Sequence, residues 1–370
     1  MTDSGELSSF RKYIKMKKLE SKLSHEGKEA ALVTHEKNIR YLTGFPNSEG
    51  TLLVTRDKAY LLVDFRYGEA AQKNVTNAEV VVYDKYYDAL CTLIRDHGIR
   101  DLLIESEYMT VAGMNLLEKR VEGTGCRIMA NDRLDKLISL QRIVKSKEEI
   151  EKMRRAQQIT EEALTELLNI VKPGVKESAL AFELEYLMRR KGAQGVSFDL
   201  ITITGAKTSM PHGVPGDCEV KRGDFVTFDV GALYDGYHSD MTRTYAVGEA
   251  SDEQREIYDT VLKAQLMGLA KVKAGIKAYE VDATARSVIA RAGYADYFRH
   301  STGHGVGLDI HEQPFVSAKG ETLLSEGMVI TVEPGIYLPG KFGVRIEDMV
   351  VVTNDGCDNL ATLPKELIIL

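Results

Sequence analysis

Apolar and polar positions alternate most regularly between residues 225 and 247. Val226, Phe228 and Val230 alternate with Thr227, Asp229 and Gly231, the two-residue period of a strand with one apolar face. Asp235-Gly236 is a hairpin-turn dipeptide, and residues 237–247 read as the returning strand. A turn there brings Asp240 opposite Asp229, or diagonal to it. A second hairpin follows. Residues 327–333 form an apolar strand ending in Glu333, residues 344–352 form another carrying Glu347, and Pro339-Gly340 lies between them. The midpoint of 333 and 347 is 340, so Glu333 and Glu347 are expected to face each other.

Helical spacing appears at residues 6–27, 89–97, 146–171, 177–191, 253–274 and 279–292. Ser146-Lys-Glu-Glu149 fits a capping box, Pro173-Gly174 is a stop, and Gly192, Gly275 and Gly293 close the later helices. Short apolar segments precede them at 30–34, 38–45, 51–55, 59–64, 80–83 and 101–105. Strands alternating with helices predict an α/β domain over residues 1–135. Residues 136–370, with both hairpins, form the second domain of this α/β (α+β) chain. The junction falls in 134–145, and no internal repeat is visible.

Composition narrows the class. Hydrophobic residues make up 44% and charged residues 28% of the 370, as in a soluble globular protein. A net charge of −7 argues against nucleic acid as a partner. Cys91, Cys126, Cys218 and Cys357 are scattered without a close pair, which suits a reducing cytoplasm. Residues 1–6 lack the basic-then-apolar layout of a signal peptide, and no apolar run approaches a membrane span. A cytoplasmic protein is expected.

An aspartate at a strand end is ordinarily a turn former. Two such hairpins change that reading, because like charges placed across a sheet destabilise it unless something positive lies between them. Thr302-Gly-His304-Gly-Val-Gly307 sits between the hairpins, a histidine whose flanking glycines permit close backbone approach. Asp229, Asp240, His304, Glu333 and Glu347 make a hard, oxygen-rich set able to hold two divalent ions about 3.5–4 Å apart. Mn²⁺ suits that hardness first, and the histidine also admits Co²⁺, Zn²⁺ or Fe²⁺. Arg345 lies two residues before Glu347, on the same strand face, where it can neutralise or orient a carboxylate.

Six ordered pieces resemble the proline-specific metallopeptidases of the pita-bread fold, the Xaa-Pro aminopeptidases and Xaa-Pro dipeptidases (prolidases). They are Phe-Asp229-Val-Gly, Ser-Asp240-Met-Thr-Arg-Thr, Thr-Gly-His304-Gly-Val-Gly, Ile-His311-Glu-Gln-Pro, Val-Glu333-Pro-Gly-Ile-Tyr and Val-Arg-Ile-Glu347-Asp. The resemblance implies a creatinase-like N-terminal domain followed by a pita-bread catalytic domain. It also implies that the five residues above are metal ligands, with His212 and His311 beside the metals to grip substrate and stabilise the tetrahedral intermediate. Glu333 would carry a proton to the leaving nitrogen, and Tyr337 has a family counterpart near the site. His300 is a further candidate; His25, His35, His97 and His238 read as ordinary polar residues.

Creatinase, which needs no metal, and non-catalytic relatives with lost ligands are rivals, but all five ligand positions are intact here. Methionine aminopeptidase usually lacks the long N-terminal domain. The implied partners are short proline-containing peptides and a second copy of the chain. Xaa-Pro aminopeptidase ranks first and strict dipeptidase second. Phe315, just after His311-Glu-Gln-Pro314, cannot pair with a dipeptide's carboxylate, leaving Arg345, the loop around Lys341 or a cation from a second copy's N-terminal domain for that role.

Overall fold

Short strands of Leu, Val and Ile build the first part of the chain. The computed structural model describes residues 3–24, 28–46 and 49–370. Its contacts divide them into two compact units, residues 1–142 and 143–370. The division lies within the expected junction of 134–145, and the first unit runs on past residue 135. Helix Arg133–Arg142 belongs to it, since Leu134 and Ile138 are buried, Asp135 accepts the Ser106 N–H at 2.8 Å, and Arg142 Nη1 donates to Asn38 at 2.7 Å.

The first unit is a six-stranded mixed sheet flanked by helices. In spatial order its strands are Glu79–Val82, Ala59–Val63, Thr51–Val54, Glu29–Val33, Asp101–Ile104 and Arg127–Met129. Helix Phe65–Asn74 makes one parallel crossover and helix Val111–Val121 another, as parallel neighbours require. Residues 38–45, grouped with the apolar strand segments in the sequence, lie instead largely in helix Glu36–Thr43, which buries Ile39 and Leu42 one turn apart and ends at left-handed Gly44. Helix Asp3–Glu20 stops short of residue 27, and His25 lies outside the described residues.

In the second unit one order of elements occurs twice. Ser146 caps helix Lys147–Leu167 through a capping box, helix Glu177–Arg190 follows, and then comes the strand pair Phe225–Val230 and Met241–Ala246. Ser251 caps helix Asp252–Lys271 the same way, and helix Ala278–Arg291 and the strand pair Val329–Val332 and Asp348–Val352 follow. The sequence shows no repeat; the architecture does. The helices of each half pack Leu, Ile and Val side chains onto its strands, and Leu363, Ile368 and Leu370 return to the core of the first half.

Both turns follow the sequence. Asp235 and Gly236 have φ of 44° and 77° between paired Tyr234 and Tyr237, the left-handed geometry of a two-residue hairpin loop. Leu338 pairs with Phe342 around Pro339-Gly340-Lys341. Among the described residues no helix is long and apolar enough to cross a membrane.

Behind the strands lies a buried ion pair, Arg243 Nη2 to Asp348 Oδ1 at 2.7 Å, with both side chains almost wholly excluded from solvent. Arg243 Nη1 donates to Glu347 O at 2.7 Å and Nη2 to Leu363 O at 2.9 Å, joining the two halves and the C-terminal segment. Removing Arg243 leaves Asp348 with Lys365 Nζ at 2.6 Å, but takes away half of its buried compensation and orphans the Glu347 and Leu363 carbonyls. Arg243→Ala is expected to cost about 3–5 kcal/mol in urea unfolding. Arg222→Ala, at an exposed pair with Glu249, is expected to stay within about 0.5 kcal/mol. Equal losses in the two variants would remove Arg243 from this role.

Candidate active site

A cleft of about 590 Å³ opens in the second unit. Phe198, Leu200, Ile201, Val214, Pro215 and Phe315 supply its apolar wall; Asp229, Asp240, His304, Glu333 and Glu347 supply its polar floor. The first hairpin sets Asp229 across from Thr242, so Asp240 lies diagonal to Asp229 on the same strand face. In the second, Val332 pairs with Asp348 and Gly335 with Arg345, a register that puts Glu333 across from Glu347.

His304 enters on the three-residue strand Gly303–Gly305, wedged between neighbours. A Cβ on Gly303 would lie 2.0 Å from Thr331 O, and one on Gly305 would lie 2.2 Å from Gln313 O. Only glycine permits that approach. His304 Nδ1 faces Gly305 O at 3.0 Å and so carries the ring proton, leaving the Nε2 lone pair outward. That nitrogen is 3.5 Å from Asp240 Oδ2 and 3.5 Å from Glu333 Oε1. Burial holds His304 down at about 4, so no second proton relieves the contact.

The carboxylates are crowded as well. Burial raises Asp240 well above the usual carboxylate range, and Asp229 and Glu333 add to the effect. Glu347 is raised by burial and then by Asp240. Glu333 is pushed up to about 7 by burial, against the pull of Arg345. One donor atom each from Asp240, His304 and Glu347 lie within 4.8 Å of one another, and Asp229 Oδ1 is buried with no hydrogen-bond partner. Lone pairs converging in a buried space, one of them orphaned, fit a divalent cation.

Other side chains fix these donors. Arg345 Nη2 holds Asp229 Oδ2 at 2.5 Å, its Nη1 donates to the Tyr337 hydroxyl at 2.9 Å, and its Nε donates to Thr242 Oγ1 at 3.1 Å. Thr242 in turn donates to Glu347 Oε2 at 2.7 Å, and Thr331 donates to Glu333 Oε1 at 3.2 Å. His300 Nδ1 donates to Ser301 O, so its Nε2 accepts from Tyr337 at 2.9 Å. His300 thus lines the cleft and is linked to Asp229 through Tyr337 and Arg345. His311 stands edge-on to His304, ring centroids 4.3 Å apart, and exposed His212 lines the cleft. Lys341 is elsewhere: its Nζ pairs with Glu253 at 2.7 Å.

Residues 151–354 match the metallopeptidase family M24, and residues 15–156 match the creatinase/prolidase N-terminal domain. The chain belongs to metallopeptidase family M24. It is 39% identical over 357 residues to the Xaa-Pro dipeptidase of Pyrococcus horikoshii, covering 96% of this chain and 98% of that one. Its structure is similar to the Xaa-Pro dipeptidase from Bacillus anthracis, with TM-score 0.93, 39% identity, and coverage of 97% and 100%. It is also similar to the X-Pro aminopeptidase from Thermotoga maritima, with TM-score 0.84, 36% identity, and coverage of 93% and 96%. The pita-bread fold inferred from the six motifs is thus that of its relatives.

In this M24 chain, Thr242 and Thr331 escaped the sequence reading, as did Asp282 and Arg286. The threonines had a signal: each lies two residues from a carboxylate on the same strand face, a polar side chain in an apolar run. Asp282 and Arg286 had none. They sit on helix Ala278–Arg291, where Asp282 accepts from Thr302 Oγ1 at 2.8 Å and Arg286 donates to His300 O at 2.9 Å. Together they hold the segment leading into His304.

A cation that relieves this crowding binds the folded chain and stabilises it. Mn²⁺ added to metal-free protein at about 100 times its Kd should stabilise it by about 2.7 kcal/mol, read as a rise in Tm. Glu347→Gln should show a smaller rise. An unmoved wild-type Tm would contradict the site.

Proposed function

We propose that this chain is a dinuclear-metal Xaa-Pro dipeptidase, cleaving the bond between a first residue and a following proline. What carries the reading is the convergence of buried Asp240, His304 and Glu347 donors in a chain similar over nearly its full length to Xaa-Pro dipeptidases. Asp229, Asp240, His304, Glu333 and Glu347 would hold two divalent ions, Mn²⁺ first by donor hardness. Such ions supply an acidified water and polarise the scissile carbonyl.

The chain's own groups do the rest. Glu333 would accept the proton that the attacking water gives up and pass it to the leaving nitrogen. His311 donates a hydrogen bond where charge develops on the carbonyl oxygen. Arg345 fixes Asp229, and Tyr337 links Arg345 to His300. The apolar wall receives the proline ring, whose nitrogen has no N–H to satisfy. Exposed His212 grips the substrate from the rim. The proposal includes a homodimer, on the strength of the resemblance alone. Four unpaired cysteines support a cytoplasmic setting.

One observation favours the second reading, Xaa-Pro aminopeptidase. Arg345 is the cleft's one arginine or lysine among its described lining residues; it is committed to Asp229, and Lys341 pairs outside the cleft. Among this chain's described lining residues, a dipeptide's free carboxylate then has only histidines as further cationic partners. Sequence reasoning ranked the aminopeptidase first on Phe315; the named dipeptidases favour the reverse order.

The deciding experiment is kcat/KM for Ala-Pro against Ala-Pro-Ala under one Mn²⁺ loading. The dipeptide should win by at least tenfold, about 1.4 kcal/mol of transition-state stabilisation. A tenfold advantage for the tripeptide would install the aminopeptidase instead. His311→Ala should lose turnover with metal retained, whereas His304→Ala should lose metal as well. Normal turnover and metal content in His304→Ala would defeat the ligand assignment.

A further inference from the structure

His304 and His311 are carried by the two arms of one loop. Gly305 pairs with Glu312 across its base, and residues 306–311 make the excursion between them. The inside of that loop is filled by the Glu312 carboxylate. A Cβ on Gly307 would lie 2.6 Å from Glu312 Oε2, so the backbone at Gly307 rests directly on the carboxylate. Glu312 Oε1 accepts the Asp309 N–H at 3.0 Å, and Gly307 N–H donates to Asp309 O at 3.0 Å. His238 N–H closes on Gly307 O from the first hairpin, also at 3.0 Å.

Lys145 reaches this carboxylate from a distant part of the sequence. Its Nζ lies 3.2 Å from Glu312 Oε2, and the side chains are only 2% and 8% exposed. Its backbone is fixed too: Lys145 N–H donates to Gly327 O at 2.9 Å, beside the bridge between Val144 and Met328. Taking an ammonium and a carboxylate out of water costs several kcal/mol per ion, and pairing them seldom returns more than that. Such a pair is a poor device for stability. It is a good one for fixing geometry, because two charged groups excluded from water hold each other in one orientation.

We propose that Lys145 and Glu312 are positioning residues for the reaction: the buried pair sets the loop and thereby holds His311 at a fixed distance from His304. Neither touches the substrate; both act through His311. The inference rests on the catalytic role given to His311 above. Displacing a charge-stabilising donor by about 1 Å lowers turnover by up to about 100-fold while leaving ground-state binding largely alone.

The test is a double-mutant cycle on the metal-loaded full chain, with kcat, KM, Tm and metal content measured for each variant. Lys145→Met should lower kcat by about 10–100-fold, with KM within about twofold of wild type and metal content unchanged. The same substitution in His311→Ala should change the residual kcat by less than about twofold, because the group it positions is gone. Equal losses in both backgrounds would overturn the proposal and leave His311 catalytic. Full turnover in His311→Ala alone would overturn both readings. Should Lys145→Met fold poorly, Lys145→Met with Glu312→Gln removes both buried charges and restores Tm. That variant should still turn over slowly; wild-type kcat in it would equally overturn the tether.

Discussion

Four carboxylates brought into one poorly solvated cleft, with a single arginine against them, are the constraint to which the rest of the second unit answers. At an effective dielectric of about 20, two such charges 4 Å apart repel by about 4 kcal/mol. Arg345 offsets part of this in direct contact with Asp229 and, less strongly than burial opposes it, at Asp240 and Glu347. The chain tolerates the arrangement because its scaffold is stiff. Each pair is carried on a strand hairpin whose register is fixed by a tight turn, and Arg243 bolts the hairpins together from behind.

The supporting hydrogen bonds share one logic. Thr242, Thr331, Tyr337 and Arg345 donate to carboxylate or imidazole acceptors and fix their rotamers, so the open lone pairs all point at the same space. His304 is held likewise by its own neighbour's carbonyl, which decides which nitrogen stays free. A ligand set arranged this way loses little side-chain entropy on binding a cation, since most of it was lost on folding.

Much of this was legible in the sequence because its determinants are local. Turn dipeptides fix register, and register fixes which carboxylates meet, so Asp229 with Asp240 and Glu333 with Glu347 could be paired on spacing alone. The capping box at Ser146 located the start of helix Lys147–Leu167 for the same reason. What stayed hidden was non-local. Nothing near Lys145 announces Glu312, and nothing near Asp282 announces Thr302. The helix at Glu36–Thr43 was hidden for another reason: a short apolar run has no period long enough to separate helix from strand. At the junction expected in 134–145, the ten-residue helix Arg133–Arg142 went unseen through the same ambiguity.

The return of the C-terminal segment bears on how the molecule is made. Ala246 pairs with Ile369, and Leu363, Ile368 and Leu370 complete a core otherwise built from residues 159–247. During synthesis the first half of the catalytic unit therefore waits, with apolar strand faces uncovered, for residues made much later. The six strands of the first sheet all lie within residues 29–129 and can pair while the ribosome is still at work. The nascent catalytic unit is the vulnerable stage of this protein's life, the interval in which chaperones and proteases compete for it.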